Sequence, residues 1–351
     1  MTQSILPRFP IGWFAAAFSS ELLPGRVLSR KLFGRDLVLF RGAGGVACAT
    51  DAHCPHLGAH LGAGVVEGDC LRCPLHGFRF ATNGDCVATG YGTKPPRAPL
   101  GTWPLDEQGG VIFLHHDPLR RAPTFHLPDV DYEGWSRPRF HYLETIGHPQ
   151  EMAENTVDVG HLTWLHGYRG VRAIEPQRFD QHTSRVHYGI RRFVGIAGRF
   201  GRELPVEYTV DLCGLGFSRI ESWMPTLGLR SRQVAMATPI EGDRVSIRFA
   251  ISVAKTLDPR AQRPILERLW GPALASIAAR VLLPMVLRDV GQDMQVWRDK
   301  RYLERPLLAR GDGPFLAYRR WARQFYLPEA NRSAAEDDTP LPRLMLPRAC
   351  A

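Results

Sequence analysis

Short apolar stretches fill the first third of the chain, and glycines or polar pairs separate them. β-Branched and aromatic residues dominate these stretches, and each one is too short for a helix of three turns. The pattern therefore predicts an all-β region from Gly12 to about His116. The predicted strands are Val27–Leu32, Asp36–Phe40, Gly45–Ala49 and Val111–Leu114.

A second periodicity begins after a proline-rich connection that runs from Pro118 to Pro138. It predicts a strand at His141–Ile146 and then a helix at Pro149–His166. Alternation of apolar and polar residues next predicts long antiparallel strands. Examples are Arg185–Phe193, Val206–Leu212, Arg232–Thr238 and Arg244–Val253.

Helical periodicity covers Pro259–Trp297, with a break expected at Pro284 because proline lacks a backbone donor. The final residues, from Asn331 onward, are rich in proline, alanine and charge and predict a frayed tail. The sequence thus predicts three parts. They are an all-β domain over residues 1–120, an α+β domain over 121–327 and a flexible tail over 328–351.

The charge pattern argues against a nucleic-acid partner. The 351 residues include 44 Lys and Arg against 35 Asp and Glu, and only four of the basic residues are lysines. The arginines are dispersed, whereas nucleic-acid proteins concentrate basic residues in a patch or tail. We expect the net charge of +9 to favour solubility and an acidic protein partner.

Neither a secretion signal nor a membrane span is evident. The N-terminal residues lack a basic segment followed by an apolar core, and the apolar stretch Ala273–Leu287 is interrupted by Arg280 and Pro284. The seven cysteines are an odd number, so a disulfide framework is not expected. These features predict a cytoplasmic protein without a membrane span.

Two short Cys/His motifs carry the first chemical signal. Cys54 and His56 form C-x-H, and after sixteen residues Cys73 and His76 form C-x-x-H. A Rieske [2Fe–2S] cluster needs two thiolates on one iron and two imidazoles on the other. Structural zinc is the alternative, but zinc fingers pair cysteine with cysteine and histidine with histidine. The mixed pairs favour the cluster.

The remaining cysteines and two nearby histidines are not expected to bind the cluster. His53 and His60 are interpreted as surface residues or neighbours of the ligands. The cysteines interpreted as plain thiols are Cys48, Cys70, Cys86, Cys213 and Cys350.

A second motif lies in the C-terminal region and reads E-N-x-x-D-x-x-H-x-x-x-x-H from Glu154 to His166. Non-haem Fe(II) oxygenases use two histidines and one carboxylate, which leave positions open for dioxygen. His161 and His166 are about 140° apart on a regular helix, so they share a metal only if the helix ends or bulges between them. Ordinary helical histidines are the alternative interpretation.

Both motifs resemble those of the Rieske non-haem iron oxygenases. The first is CPHLGAHLGAGVVEGDCLRCPLHGF, and Ala59 and Leu75 stand where the respiratory type has two additional cysteines. Phe78 stands where many oxygenases have tryptophan. Three further segments resemble the 3-ketosteroid 9α-hydroxylase oxygenases and cholesterol 7-desaturases, over about Gly12 to Tyr326. They are His148–Glu151, Gln292–Lys300 and the segment from Asp312 to Tyr326.

The resemblance assigns roles to individual residues. It implies that His161 and His166 bind iron, that Asp158 links this iron to a Rieske histidine, and that Asn155 is a neighbour of the ligands. Three aspartates near the end of the predicted helix are candidates for the third ligand. The resemblance selects Asp293, whereas Asp289 and Asp299 are interpreted as solvated helix charges.

The implied fold is α+β, with an N-terminal all-β Rieske domain and a helix-grip (START-like) domain whose antiparallel sheet surrounds a long C-terminal helix. The implied cofactors are a [2Fe–2S] cluster and a mononuclear Fe(II). A ferredoxin or a ferredoxin-type reductase would supply electrons, so NAD(P)H is used only indirectly. The implied assembly is a head-to-tail homotrimer. Electrons would pass from His76 to Asp158 of the neighbour and then to His161.

Three functions compete at this point. The first is hydroxylation or desaturation, with O2, of a hydrophobic polycyclic substrate such as a steroid. The second is the same chemistry on a natural-product scaffold or an aromatic acid, including O-demethylation. The third is an electron carrier whose second domain only binds a partner, and the set of His161, His166 and Asp293 argues against it.

Overall fold

A computed structural model of the chain describes residues 6–196, 200–261 and 264–328. The chain divides into two compact units. One contains Phe9–Asp129 and the short segment Pro239–Gly242, and the other contains Val130–Thr238 and Asp243–Phe325. The three domain boundaries predicted from the sequence stay a prediction. Nearly all of the predicted tail, together with Cys350, lies outside the described residues.

The N-terminal unit is built from three small antiparallel sheets, with strand orders β1-β11-β10, β2-β3-β4-β9 and β5-β6-β7-β8. The inward side chains of the first two sheets form one apolar core that includes Phe14, Leu37, Trp103 and Ile112. The strands are β1 (Gly12–Phe18), β2 (Val27–Leu32), β3 (Arg35–Arg41), β4 (Ala47–Asp51), β5 (Val65–Glu67), β6 (Cys70–Arg72), β7 (Arg79–Phe80), β8 (Cys86–Ala88), β9 (Thr102–Trp103), β10 (Leu105–Gln108) and β11 (Val111–His116).

The second unit contains a seven-stranded antiparallel sheet with the order β12-β18-β17-β16-β15-β14-β13. After the first strand, the chain leaves the sheet for two short helices and then returns to add the other six. The strands are β12 (Arg139–Ile146), β13 (Arg169–Phe179), β14 (Thr183–Ile196), β15 (Phe200–Cys213), β16 (Phe217–Met224), β17 (Leu229–Glu241) and β18 (Arg244–Val253).

The helices of this unit are α1 (Pro149–Glu154), α2 (Gly160–Trp164), α3 (Pro264–Leu269), α4 (Pro272–Asp299) and α5 (Phe315–Ala322). Helix α4 packs on β18, where Leu287 and Val290 contact the cluster of Val245, Ile247 and Phe249. A large antiparallel sheet against a long helix confirms the predicted fold class. Among the residues that the structure describes, none of the helices combines the length and hydropathy that a membrane span requires.

The predicted break at Pro284 is wrong, because α4 runs without interruption from Pro272 to Asp299. Proline removes one backbone donor, which leaves the carbonyl four residues earlier, at Arg280, without its helical partner. Both Pro284 and Arg280 are exposed, so this turn of the helix faces solvent, where water can replace the missing donor. The opposite side of the helix is held by buried residues that include Ala279 and Val286.

The single helix predicted over Pro149–His166 is also wrong, since α1 and α2 are separated by residues 155–159. Short polar side chains in this segment compete for backbone hydrogen bonds. The Thr156 hydroxyl donates to the Ala153 carbonyl at 2.8 Å, and Asp158 Oδ1 accepts from the His161 amide at 3.2 Å. Such side-chain bonds offer the backbone an alternative to the helix.

Candidate metal centres

Two loops of the N-terminal unit hold the Cys/His pairs in matching conformations. In one, the Gly58 amide donates to the Cys54 carbonyl at 2.9 Å, and in the other, the Gly77 amide donates to the Cys73 carbonyl at 3.2 Å. Both glycines have a positive φ, of 73° and 65°, which residues with a Cβ rarely adopt. Each turn therefore presents one cysteine and one histidine.

The four predicted cluster ligands come together at these loops. The rings of His56 and His76 lie 4.8 Å apart. Cys54 and Cys73 are buried, their side chains are hydrogen-bonded to each other, and both are free thiols. Phe78 stacks on the His56 ring, with the ring centroids 4.3 Å apart.

The donor set fits a [2Fe–2S] cluster of the Rieske type. His76 Nδ1 is buried and has no hydrogen-bond partner within the described chain, which is costly unless a metal binds it. Burial raises the pKa of the Cys54 thiol to about 11, so only a bound cation would keep it as thiolate. Two sulfur and two imidazole donors match the ligands of a Rieske centre.

His53 and His60 take structural roles beside this site. Their rings meet edge to face at 5.3 Å, and their backbones form an isolated bridge. His60 Nδ1 also accepts from the Gly62 amide at 3.0 Å and begins a short 3-10 helix. Within the described residues, Cys48, Cys70, Cys86 and Cys213 form no disulfide.

The second predicted centre forms where α2 ends. The last residue of α2 is Trp164, so the chain leaves the helix between His161 and His166. Their rings consequently face each other with centroids 5.1 Å apart. One donor atom each from His161, His166 and Asp293 lies within 4.8 Å of the other two. The described residues thus contain one group of two histidines and one carboxylate that could hold an ion.

The neighbours of Asp293 orient this set of donors. Asp293 projects from α4 and is buried, with its Oδ1 3.5 Å from His166 Nε2. Asn155 Nδ2 donates to the same oxygen at 3.2 Å. Gln292 Oε1 accepts from His166 Nδ1 at 2.9 Å, which leaves Nε2 free to bind a metal.

The two histidines differ in their pKa values. Burial lowers the pKa of His161 and keeps the imidazole neutral, which is the form that binds metal. Burial acts in the same direction on His166, but hydrogen bonds to Asp293 and Gln292 outweigh it and raise its pKa. A metal ion bound between the three side chains would take the place of the His166 proton that the nearby Asp293 carboxylate stabilises.

Asp158, the predicted connector, lies beside His161. Its Oδ2 is 3.9 Å from His161 Nδ1, while its backbone carbonyl is in closer contact with the same nitrogen. The Asp158 side chain is 37% exposed, so its carboxylate is accessible from outside the site.

A buried ion pair fixes the segment that carries Asn155 and Asp158. Glu154 is bound by Arg319 of α5 through two hydrogen bonds, of 2.7 and 2.9 Å. In the loop before α5, Gly313 lies so close to Val157 that a Cβ added to Gly313 would be 1.7 Å from the Val157 carbonyl oxygen. These contacts explain why the chain has glycine and arginine at these two positions.

A largely apolar cavity adjoins the three donors. Inward-facing residues of the sheet alternate along each strand, and α4 closes the opposite wall. His161, His166 and Asp293 also line this cavity. Other residues that line it include Leu162, Ile190, Val210, Leu212, Phe217, Ile220, Ile247, Phe249, Val286, Val290 and Trp297.

The structure corrects the interpretation of Asp289 and adds residues that the sequence did not indicate. Asp289 is not a solvated charge, because it lines the cavity and accepts from Tyr168 and Arg192. Its position one turn before Asp293 was the available signal, since residues four apart share a helix face. Asp299 is exposed, as predicted.

Paired Cys/His loops, followed by two histidines and a carboxylate beside an apolar cavity, are the features of a Rieske non-haem iron oxygenase. Residues 12–104 match the Rieske [2Fe-2S] domain, and residues 114–326 match the 3-Ketosteroid 9alpha-hydroxylase C-terminal domain. The second match covers more than half of the chain, which therefore belongs to this family of oxidoreductases. The predicted family and enzyme class are confirmed.

Relatives named for sterol and steroid oxidation align over most of this chain. "Cholesterol 7-desaturase nvd" of Bombyx mori is 29% identical, with 93% of this chain and 71% of the relative covered. The "Probable 3-ketosteroid-9-alpha-monooxygenase, oxygenase component" of Rhodococcus rhodochrous is 28% identical, with 95% of this chain and 85% of the relative covered.

Solved structures share the fold. Dicamba monooxygenase bound to dicamba superimposes with a TM-score of 0.63 at 18% identity, covering 90% of this chain and 97% of that chain. The NdmA QL mutant of Pseudomonas putida CBB5 with caffeine gives a TM-score of 0.65 at 16% identity, covering 89% of both chains. At this level of identity the likeness concerns the fold alone.

Proposed function

We propose that the protein is an oxygenase component that uses O2 to hydroxylate or desaturate a hydrophobic polycyclic substrate of the steroid or sterol type. The observation that carries the proposal is the apolar cavity lined by His161, His166 and Asp293. Relatives named for cholesterol and for 3-ketosteroids support this substrate class.

Cys54, His56, Cys73 and His76 would hold the [2Fe–2S] cluster, and His161, His166 and Asp293 would hold the mononuclear iron. When bound, the two centres supply one-electron transfer and dioxygen activation. The chain's own contribution is positioning. Asn155 and Gln292 hold Asp293 and His166 in place, and the apolar cavity excludes water from the reacting carbon.

Electrons would come from a ferredoxin or ferredoxin-type reductase that draws on NAD(P)H. We place Asp158 between His161 and His76 of a neighbouring subunit in a head-to-tail homotrimer. Its accessible carboxylate beside His161 supports this connecting role. The cytoplasmic location expected from the sequence is part of the proposal.

The second candidate is a natural-product scaffold or an aromatic acid, and the aromatic acid receives less support from the cavity. A carboxylate substrate calls for an unpaired cation, but the arginine that lines the cavity, Arg192, is bound to Asp289 at 3.0 Å. The carboxylate of a substrate would therefore meet a guanidinium that is already neutralised.

Turnover with a reductase tests the proposal. Purified protein is supplied with NADH, a ferredoxin-type reductase, O2 and a panel of steroids, sterols and aromatic acids, and products are analysed by mass spectrometry. We expect a steroid or sterol to gain one oxygen or to lose two hydrogens, and we expect His166→Ala to abolish both. Turnover of aromatic acids alone would establish the second candidate instead.

A further inference from the structure

A polar cluster interrupts the apolar wall of the cavity. Asp289 Oδ2 accepts from the Tyr168 hydroxyl at 2.5 Å and from Arg192 Nη2 at 3.0 Å. Arg192 Nη1 in turn donates to the Tyr208 hydroxyl oxygen at 3.3 Å. Tyr168 lies at the end of the loop between α2 and β13, Arg192 on β14, Tyr208 on β15 and Asp289 on α4, and all four side chains line the cavity.

Several hydrogen-bonding groups of this cluster remain unused. Within the described chain, Asp289 Oδ1 accepts from no donor, and the Tyr208 hydroxyl, which accepts from Arg192, has no acceptor for its own proton. An ion pair in such a place stabilises a fold little compared with apolar residues of the same size. Stabilisation of the fold therefore does not account for the cluster. Its distinctive feature is the set of hydrogen-bonding groups that remain without a partner.

The charges of the cluster select among possible ligands. The pair of Arg192 and Asp289 is neutral as a whole, and a second carboxylate would lie close to the charge of Asp289. A ketone only accepts hydrogen bonds, so it would leave Asp289 Oδ1 shielded from water without a donor. A hydroxyl both donates and accepts, so it could donate to the unused Asp289 oxygen and accept the unused proton of Tyr208, two residues that are bridged by Arg192.

We infer that Asp289, with Tyr208 and Arg192, is a specificity-determining cluster that binds a hydroxyl group of the substrate. The inference rests on the proposed function and narrows it from steroid-like molecules in general to polycyclic alcohols. Asp289 precedes Asp293 by one helical turn, about 6 Å along the axis. The Tyr168 ring lies 5.7 Å from the His166 ring. A hydroxyl bound here would thus fix which end of the substrate faces the metal donors.

Binding of two matched steroids tests the inference without turnover. Androstanol and androstanone each carry a single oxygen, a hydroxyl in the first and a ketone in the second. Equilibrium dialysis against the oxidised holoprotein, without reductant, gives a dissociation constant for each. We expect wild-type protein to bind the alcohol about tenfold more tightly, the usual effect of one hydrogen bond to a charged group.

The variant Asp289→Asn reverses the chemistry of the unused atom. Its amide oxygen can keep the bonds to Tyr168 and Arg192, while its NH2 group would donate at the position where Oδ1 is inferred to accept from the substrate. We therefore expect this variant to prefer the ketone. Asp299→Asn, on the exposed end of the same helix, is the matched control and should keep the wild-type preference. Asp289→Leu should bind both steroids with equal affinity.

The outcomes separate this inference from the proposed function. If the wild type binds both steroids equally and Asp289→Asn weakens both equally, the cluster only shapes the cavity and the inference is wrong. If the wild type binds neither steroid, the proposed substrate class is wrong, and the inference that depends on it is wrong as well. Circular dichroism of each variant shows that the comparison is made between folded proteins.

Discussion

Gln292 Oε1 lies 2.9 Å from Nδ1 of His166, a residue 126 positions earlier in the chain. An amide oxygen only accepts, so the imidazole carries its proton on Nδ1 and turns Nε2 toward Asp293. The contact fixes both the tautomer and the orientation of a proposed metal ligand. Neighbours of this kind commonly affect metal affinity by one to two orders of magnitude.

Replacing Gln292 should therefore weaken the mononuclear site and leave the cluster intact. For Gln292→Leu we expect the affinity for Fe(II) to fall about 10- to 100-fold, because His166 loses its acceptor. Titration of iron-depleted protein with Fe(II) measures the change, and the visible spectrum reports the cluster. Gln295→Leu, at an exposed position of the same helix, is the control. Equal affinities in the two variants would show that the contact does not orient a ligand.

The pair of Glu154 and Arg319 should be important for stability. Arg319→Met leaves a carboxylate that is 2% exposed without its main partner, which typically costs several kcal/mol. Lys300 Nζ lies 3.7 Å from Glu154 and compensates in part, so we expect the free energy of unfolding to fall by about 3 kcal/mol. Urea unfolding measures this loss. Arg320→Met, at the exposed neighbouring position, should stay within about 0.5 kcal/mol of wild type.

Buried histidines should make the N-terminal unit sensitive to acid. Burial lowers the pKa of His115 to about 4, and neither ring nitrogen has a hydrogen-bond partner within the described chain. Below pH 6.5 His115 becomes protonated in the unfolded chain, whereas in the folded chain it stays neutral down to about pH 4. The free energy of unfolding therefore falls as the pH falls from 6.5 to 4. Between pH 7 and pH 5 the loss from His115 is about 2 kcal/mol.

The variant His115→Phe should remove that share of the acid sensitivity. Its ring fills similar space against Trp13, whose ring lies 5.2 Å away. Urea unfolding at pH 7 and at pH 5, followed by the absorbance of the cluster, measures the difference. His126→Phe changes an exposed histidine and should keep the pH dependence of wild type. If His115→Phe loses as much stability in acid as the control, the charging of His115 is not responsible.

The connecting role of Asp158 is tested by electron transfer. Asp158→Asn keeps the size of the side chain and a carbonyl acceptor but loses the charge, so both metals should remain bound. We expect the cluster to accept electrons normally and its reoxidation by substrate and O2 to slow by orders of magnitude. Rapid mixing with detection of the reduced cluster measures the rate. Reoxidation at the wild-type rate would reject the connection, and loss of the mononuclear iron would make Asp158 a ligand.

Local spacing made much of the site predictable. Each Cys/His pair lies within one short loop, so the motif itself specifies which donors a turn presents. The requirement that the helix end between His161 and His166 also follows from helix geometry, and α2 does end there. Strand β2 spans the predicted Val27–Leu32 because its alternation is bounded by clear turns.

Features that depend on tertiary packing were not predictable. Arg192 and Asp289 are 97 residues apart and meet only because α4 packs across the sheet. The continuity of α4 through Pro284 depends on which face of the helix is exposed. The close approach of Gly313 to Val157, in the segment between α1 and α2, joins residues 156 positions apart, and no local pattern indicates it.

The most direct test of the account is the iron and acid-labile sulfide content of the protein purified without oxygen. Two separate centres require about three irons and two sulfides per chain, and His161→Ala should retain about two irons with both sulfides. Zinc without sulfide would contradict the cluster. Two irons and two sulfides in the wild type, even after incubation with Fe(II), would contradict the mononuclear centre and with it the proposed oxygenase chemistry.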